Sequence, residues 1–248
     1  MSNWIVVEGT DFSGKSTLCK TVNDLLVSFG KTSEVFQHPG ALSTGKELRS
    51  IIKSTSDLDW LTEQLIPCAD FTNFVANINK LAATRDVIVS DRISAITGPA
   101  FALSKNNDIA EIKNLFTTIL NLTATRITFS GVKTTLVLLD TPPDRIIEER
   151  IQNRQSTNIP VDHFDTRKQI RKIYKTLFST VLHNVPTVLL NPDDTHNESV
   201  NTINVETPEL SLVNSVILPS ITALFDKVIL VKQPFDVLKN TRKIIDTL

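Results

Sequence analysis

Cysteine is nearly missing from this 248-residue chain, with Cys19 and Cys68 the only two. Two cysteines build no disulfide framework, and Cys19 falls within a helical pattern, so both read as reduced core or boundary residues. Long hydrophobic runs are missing too, and no stretch is long enough to span a bilayer as a helix. No basic segment leads into the short apolar stretch of a secretory signal. Charge of one sign is likewise lacking. Lys plus Arg number 26 and Asp plus Glu 27, a formal net charge of −1. That argues against a broad nucleic-acid footprint, though a local basic groove stays open. There is no internal repeat and no low-complexity tail. These absences predict a soluble, cytoplasmic protein with no membrane part and no nucleic-acid partner. A hydrophobic share of 41% and a charged share of 21% are ordinary for a globular chain with one large or two small cores.

The most informative stretch is Gly9 to Ser16, Gly-Thr-Asp-Phe-Ser-Gly-Lys-Ser. Its spacing is that of a phosphate-binding loop, whose successive backbone N–H groups cradle phosphate oxygens. Lys15 brings a positive charge to the outer phosphates, Ser16 a hydroxyl for Mg²⁺, and the next helix its positive end. The flanks agree. Trp4 to Val7 is a short apolar run suited to a buried strand. Leu18, Val22, Leu25, Leu26 and Phe29 then recur at helical spacing, and Gly30 offers a stop.

Apolar strand candidates continue at Ser33–Gln37, Asp86–Ser90, Thr134–Leu139, Thr187–Leu190 and Val228–Val231, with helical patterns between them. One longer helical pattern covers Leu58 to Leu81. Another carries Ile109, Ile112, Phe116 and Ile119. Thr141-Pro142 suits a helix cap and first turn. The alternation predicts an α/β fold, a parallel sheet covered by helices on both faces. The expected organisation is a core over 1–192, with a lid near 150–165, and an extension over 193–248. The extension begins polar, then carries helical spacing from Leu210 to Leu224 and a closing helix over Phe235–Leu248. It reads as an added layer on the core or as an oligomer contact.

A second constellation narrows the chemistry. The run Val87-Ile88-Val89 ends in Ser90-Asp91-Arg92. Strand ends line the ligand crevice of an open parallel sheet. There Asp91 can hold a Mg²⁺-bound water or order an acceptor, and Arg92 can clamp a second phosphate; the plainer reading is a surface turn. Gln37-His38-Pro39-Gly40 and the helix bearing Arg49 fit an acceptor phosphate site, although a solvated helical arginine is the plainer reading of Arg49 alone. Arg150 and Arg154 end a helix and enter a polar loop. A lid delivers such charge to a transferring phosphoryl group; the plainer reading is a basic cluster complementing the helix dipole.

Together these residues resemble thymidylate kinase and its nucleoside monophosphate kinase relatives over about residues 3 to 192. The family's E-G-x-D-G-x-G-K-S-T is matched by Glu8 to Thr17, E-G-T-D-F-S-G-K-S-T. Its E-P-G is matched by His38-Pro39-Gly40, its G-x-x-L-R by Gly45 with Leu48-Arg49, and its D-R by Asp91-Arg92. Its lid ending D-R-F-E corresponds to Asp162 to Asp165, D-H-F-D, and Tyr174 follows in the next helix. The resemblance implies phosphoryl transfer from ATP and Mg²⁺ to a deoxynucleoside monophosphate. It implies that Asp11, Phe12, Ser13, Gly14, Lys15, Ser16 and Thr17 hold the donor, with Ser16 and Asp91 toward the metal. Asp11, Pro39, Arg49, Phe71 and Arg92 would hold the acceptor. Lys15, Asp91, Arg92 and Arg154 would carry catalysis. Relatives often dimerise, so a homodimer is also implied.

Three departures stand out. Phe12 replaces a glycine or arginine of the family, which leaves charge delivery to Arg154. His163 replaces the lid arginine, charged only near or below neutral pH. At the base-reading segment, Pro67 and Phe71 stand where the family has a phenylalanine and an arginine. Phe71 or Phe74 would stack on the base, with no arginine to read its edge. A site short of such hydrogen bonds discriminates bases poorly or prefers another base, so a related or modified pyrimidine is as open as thymine. Rival readings are a kinase of deoxynucleosides or of modified bases in DNA, and a nucleotide-binding switch without turnover. The GTPase N-K-x-D base reader is absent, since Leu81-Ala82 follows Asn79-Lys80.

Overall fold

The computed structural model describes residues 2–55, 57–105, 107–152, 163–190, 207–233 and 236–247. It begins with β1 (Asn3–Glu8), α1 (Lys15–Ser28), β2 (Ser33–Gln37), α2 (Ser43–Ser54), α3 (Trp60–Ala76) and α4 (Ile78–Ala82). Next come β3 (Val87–Asp91), α5 (Ser94–Ser104), α6 (Ile109–Ser130), β4 (Lys133–Leu139), α7 (Asp144–Gln152) and α8 (His163–Asn184). The chain then runs through β5 (Thr187–Leu190), α9 (Pro208–Leu212), a π-helical turn (Val213–Ile217), α10 (Leu218–Leu224), β6 (Lys227–Val231) and α11 (Val237–Asp246).

Among the described residues six strands form one parallel sheet, ordered β2-β3-β1-β4-β6-β5. Successive side chains of a strand point to opposite faces, and the central strands bury both. Trp4 and Val6 enter one core with Ile88, Leu136, Leu138, Val228 and Leu230. Ile5 and Val7 enter the other with Val89, Val137, Ile229 and Val231. This is why β1 reads as an unbroken apolar run rather than an alternating one. The first core is closed by residues of α3, α5, α6, α8 and the 208–224 segment, Phe71, Phe74, Phe116, Tyr174 and Ile221 among them. The second is closed by Leu18 and Val22 of α1 and Ile244 of α11.

Three expectations change. The segment 193–248 is not simply a layer packed on a finished core. Its strand β6 sits inside the sheet, paired with β4 on one edge and β5 on the other, and its two faces are buried in the two cores. The helix expected from Thr141 starts at Asp144. The Pro143 carbonyl accepts the amides of Ile146 and Ile147, while Thr141 is buried and caps nothing. The single helical pattern from Leu210 to Leu224 contains a π turn, in which the Leu218 amide reaches the Val213 carbonyl. Pro219 supplies no amide for the ordinary register there.

Helix α5 has no counterpart among the sequence expectations. Gly98 and Pro99 interrupt its propensity. Gly98 is there for space, since a Cβ on it would meet the Phe116 ring at 2.5 Å.

Candidate active site

The carboxyl ends of β1, β2, β3 and β4 meet at one edge of the sheet, the usual ligand crevice of such a fold. There a cleft of about 670 Å³ is lined by Asp11, Phe12, Gly14, Lys15, Ser16, Thr17, Gln37, His38, Pro39, Arg49, Ile52, Asp91, Arg92 and Arg167.

One wall is the phosphate loop. It leaves β1 at Glu8 and enters α1 through Gly14, whose φ of 97° lies in the left-handed region that glycine adopts without Cβ strain. The Leu18 amide bonds the Gly14 carbonyl at 2.9 Å. Phe12, where the resembled family has glycine, also has a positive φ, 63°. The backbone shape is therefore kept at the expense of a conformation that a bulky side chain disfavours. Lys15 is buried and donates to the Thr10 carbonyl. Burial, reinforced by the Arg92 charge, lowers its pKa from 10.5 to about 8, against the pull of Asp11, Glu8 and Asp91.

Ser16 Oγ donates to Asp91 Oδ2 at 2.6 Å. The two predicted metal-side oxygens are thus adjacent, one from α1 and one from β3. Among the described residues no group of three or more His, Cys, Asp or Glu could enclose a metal ion. A hydroxyl beside one carboxylate suits Mg²⁺, which keeps waters and takes its remaining ligands from phosphates.

Opposite the loop stand the predicted acceptor residues. Arg92 has a φ of 73° and pairs with Asp11. Burial opposes the Arg92 charge, but Asp11 and Glu8 hold its pKa raised. Burial pushes the Asp11 carboxyl up, yet Arg92 and Lys15 outweigh it and hold it below its usual value. Arg49 of α2 donates Nη1 to the Pro39 carbonyl at 3.0 Å, and both line the cleft. The His38–Pro39 peptide is cis.

Behind the loop, Glu8 ties three segments together. Its carboxylate accepts from the Ile93 amide at 2.8 Å, the Tyr174 hydroxyl at 2.9 Å and the Thr97 hydroxyl at 3.1 Å. Burial raises its pKa, against Arg92, the Ile93 and Tyr174 hydrogen bonds and Lys15. These contacts fix the turn that carries Arg92 and anchor α8 beneath the loop.

Several residues of the site were missed. Arg167 lines the cleft near Asp11. It sits seven residues before Tyr174, two turns along the same helical face, and that spacing was the available signal. Asp70 is buried. Its Oδ2 accepts from the Gly40 amide at 3.0 Å and lies 3.3 Å from His38 Nδ1. His38 Nε2 lies 3.4 Å from Ser90 Oγ, which accepts from Trp4 Nε1 at 2.8 Å. This chain braces the Pro39 turn against β3. The approach is tight, since a Cβ on Gly45 would fall 1.8 Å from Asp70 Oδ1.

The expected stacking role of Phe71 is corrected. Its ring is wholly covered, 6.5 Å from Trp4 and 6.4 Å from His38, so it supports the cleft from beneath. Phe74 is equally buried. Arg154 lies outside the described residues, as do the side chains of Arg150 and His163.

A phosphate loop on the first strand of a parallel sheet, with an acid and a base ending the neighbouring strand, defines a P-loop nucleotide-binding fold. The chain belongs to the thymidylate kinase family, whose model matches residues 7–198. It is similar to a protein of Leptospira interrogans named thymidylate kinase, 44% identical over 55 residues, 22% of this chain and 27% of that one. At the highest identities, then, the chain spans only about a quarter of its curated relatives' length. A Vibrio campbellii thymidylate kinase is 33% identical over 46% of this chain and 57% of its own. One from Mycoplasmoides gallisepticum is 26% identical over 82% of this chain and 94% of its own.

Proposed function

We propose that this chain is a nucleoside monophosphate kinase. It transfers the γ-phosphoryl group of ATP to the phosphate of dTMP or of a related or modified pyrimidine deoxynucleotide. An acceptor phosphate oxygen forms the new bond to the γ-phosphorus, the bond to the β-phosphate oxygen breaks, and the products are the diphosphate and ADP. Ser16 and Asp91 would hold Mg²⁺, which would supply neutralisation of the charge on the donor phosphates.

The observation that carries this reading is convergence. The loop residues Asp11 to Thr17 other than Ser13, Lys15 among them, line the same cleft as Arg49, Pro39 and Arg92. Holding two phosphates in line and supplying fixed positive charge is most of what this chemistry requires. Asp11 holds Arg92 in place and is suited to the acceptor sugar hydroxyl. Arg154 and His163 of the lid belong to the same reading as charge brought to the transferring group. With Phe71 covered, base choice falls to the cleft-lining residues.

ATP consumption with and without Mg²⁺, against nucleoside monophosphates, deoxynucleosides and DNA, tests the reading. Metal-dependent turnover with monophosphates alone is expected. Turnover with deoxynucleosides or DNA instead moves the acceptor assignment. ATP binding without turnover leaves a nucleotide-binding switch.

A further inference from the structure

The family match stops at residue 198, before β6 and α11. Yet β6, not β5, is the neighbour of β4. The segment leaving β6 is therefore the one that meets the phosphate loop. Gln233 lies two residues past that strand. Its backbone amide is near enough to the Asp140 carboxylate to favour the charged form, and that carboxylate accepts the Thr141 amide at 2.7 Å. The Gln233 side-chain Nε2 donates to the Ser13 carbonyl at 3.0 Å.

That side-chain bond bears on the loop's task. A loop that cradles an anion must turn its amides inward and its carbonyls away, and each carbonyl turned away from water needs a donor. The Thr10 carbonyl accepts from Lys15 and from the Ser13 amide, and the Gly14 carbonyl from the Leu18 amide. Ser13 is buried, and the donor to its carbonyl comes from 220 residues further along the chain.

We propose that Gln233 is a positioning residue of the phosphate loop. It holds the Ser13 carbonyl outward and so sets the affinity for the donor nucleotide, without touching the acceptor. The proposal rests on the reading of the loop as the ATP site.

The test is calorimetric binding of ATP with Mg²⁺, and separately of dTMP, to the full chain and to Gln233→Met and Gln233→Glu. Met keeps the volume and loses the donor. Glu sets an acceptor against the carbonyl. The Kd for ATP should rise about fivefold in the Met variant, the scale of one neutral hydrogen bond, and further in the Glu variant, with the Kd for dTMP unchanged. Unchanged ATP binding, or equal weakening of both ligands, would overturn the proposal. Hydrogen exchange on the unaltered chain gives a reading that needs no variant. ATP should protect the Gln233 segment together with the loop, and protection of the loop alone would count against the proposal. An unaltered chain that binds no ATP would instead remove the nucleotide reading itself.

Discussion

The two walls of the cleft are built in different ways. The wall proposed to hold the donor is one contiguous run, Gly9 to Thr17, with Lys15 and the Ser16–Asp91 pair at its end. The wall proposed to hold the acceptor is assembled from α2, the Pro39 turn and the end of β3, braced by the buried chain Asp70–His38–Ser90–Trp4. A phosphate loop acts mainly through its backbone amides, so its shape can outlast a change of side chain, and Phe12 keeps a positive φ of 63°. Reading a base would depend on separate side chains, and here the ring expected to stack is buried in the core.

Removing the loop cation should have the largest effect. Lys15→Ala is expected to lower turnover by roughly 100- to 1000-fold, as for loss of a fixed group that stabilises developing charge. A steady-state assay checks this. Phe71→Ala sharpens the contrast from the other side. A wholly buried ring lost from the core should lower stability by about 3–5 kcal/mol, read by urea unfolding, while relative rates among monophosphate bases stay the same. A shifted base preference with little change in stability would restore the stacking role.

Arg49→Ala should raise the KM for the monophosphate about 10- to 100-fold, the scale of one or two charge-assisted hydrogen bonds, and leave ATP affinity unchanged. Parallel loss of both would show that the two walls are not separable.

The smallest effect is set by pH. Burial and Arg92 lower Lys15 from 10.5 to about 8. Between those values the folded chain has released a proton that the unfolded chain keeps. Stability contributed by this group therefore rises with pH across that window. ATP affinity moves the opposite way, falling above about pH 8 as the ammonium is lost. Melting and binding measured from pH 7 to 10 check both signs.

Much of this molecule was legible in its sequence. All six strands were, because apolar, β-branched runs bounded by helical patterns are local signals. The phosphate loop was legible because its residues are contiguous. Asp91-Arg92 was legible because it ends a strand. The place of β6 was not, since strand order is decided by which faces find cover and not by any local run. Asp70 and Gln233 were missed because their partners lie 32 and 220 residues away. Phe71 was misread because a buried aromatic and a base-stacking one look alike in sequence. Helix α5 was missed because Gly98 and Pro99 read as breakers, whereas Gly98 serves a close approach to Phe116.

The most direct test of two walls facing one cleft is initial-rate kinetics with ATP–Mg²⁺ and dTMP varied together. Direct transfer between two bound phosphates predicts intersecting double-reciprocal lines. Parallel lines, the mark of a covalent phosphoryl-enzyme, or no turnover with any monophosphate would contradict it.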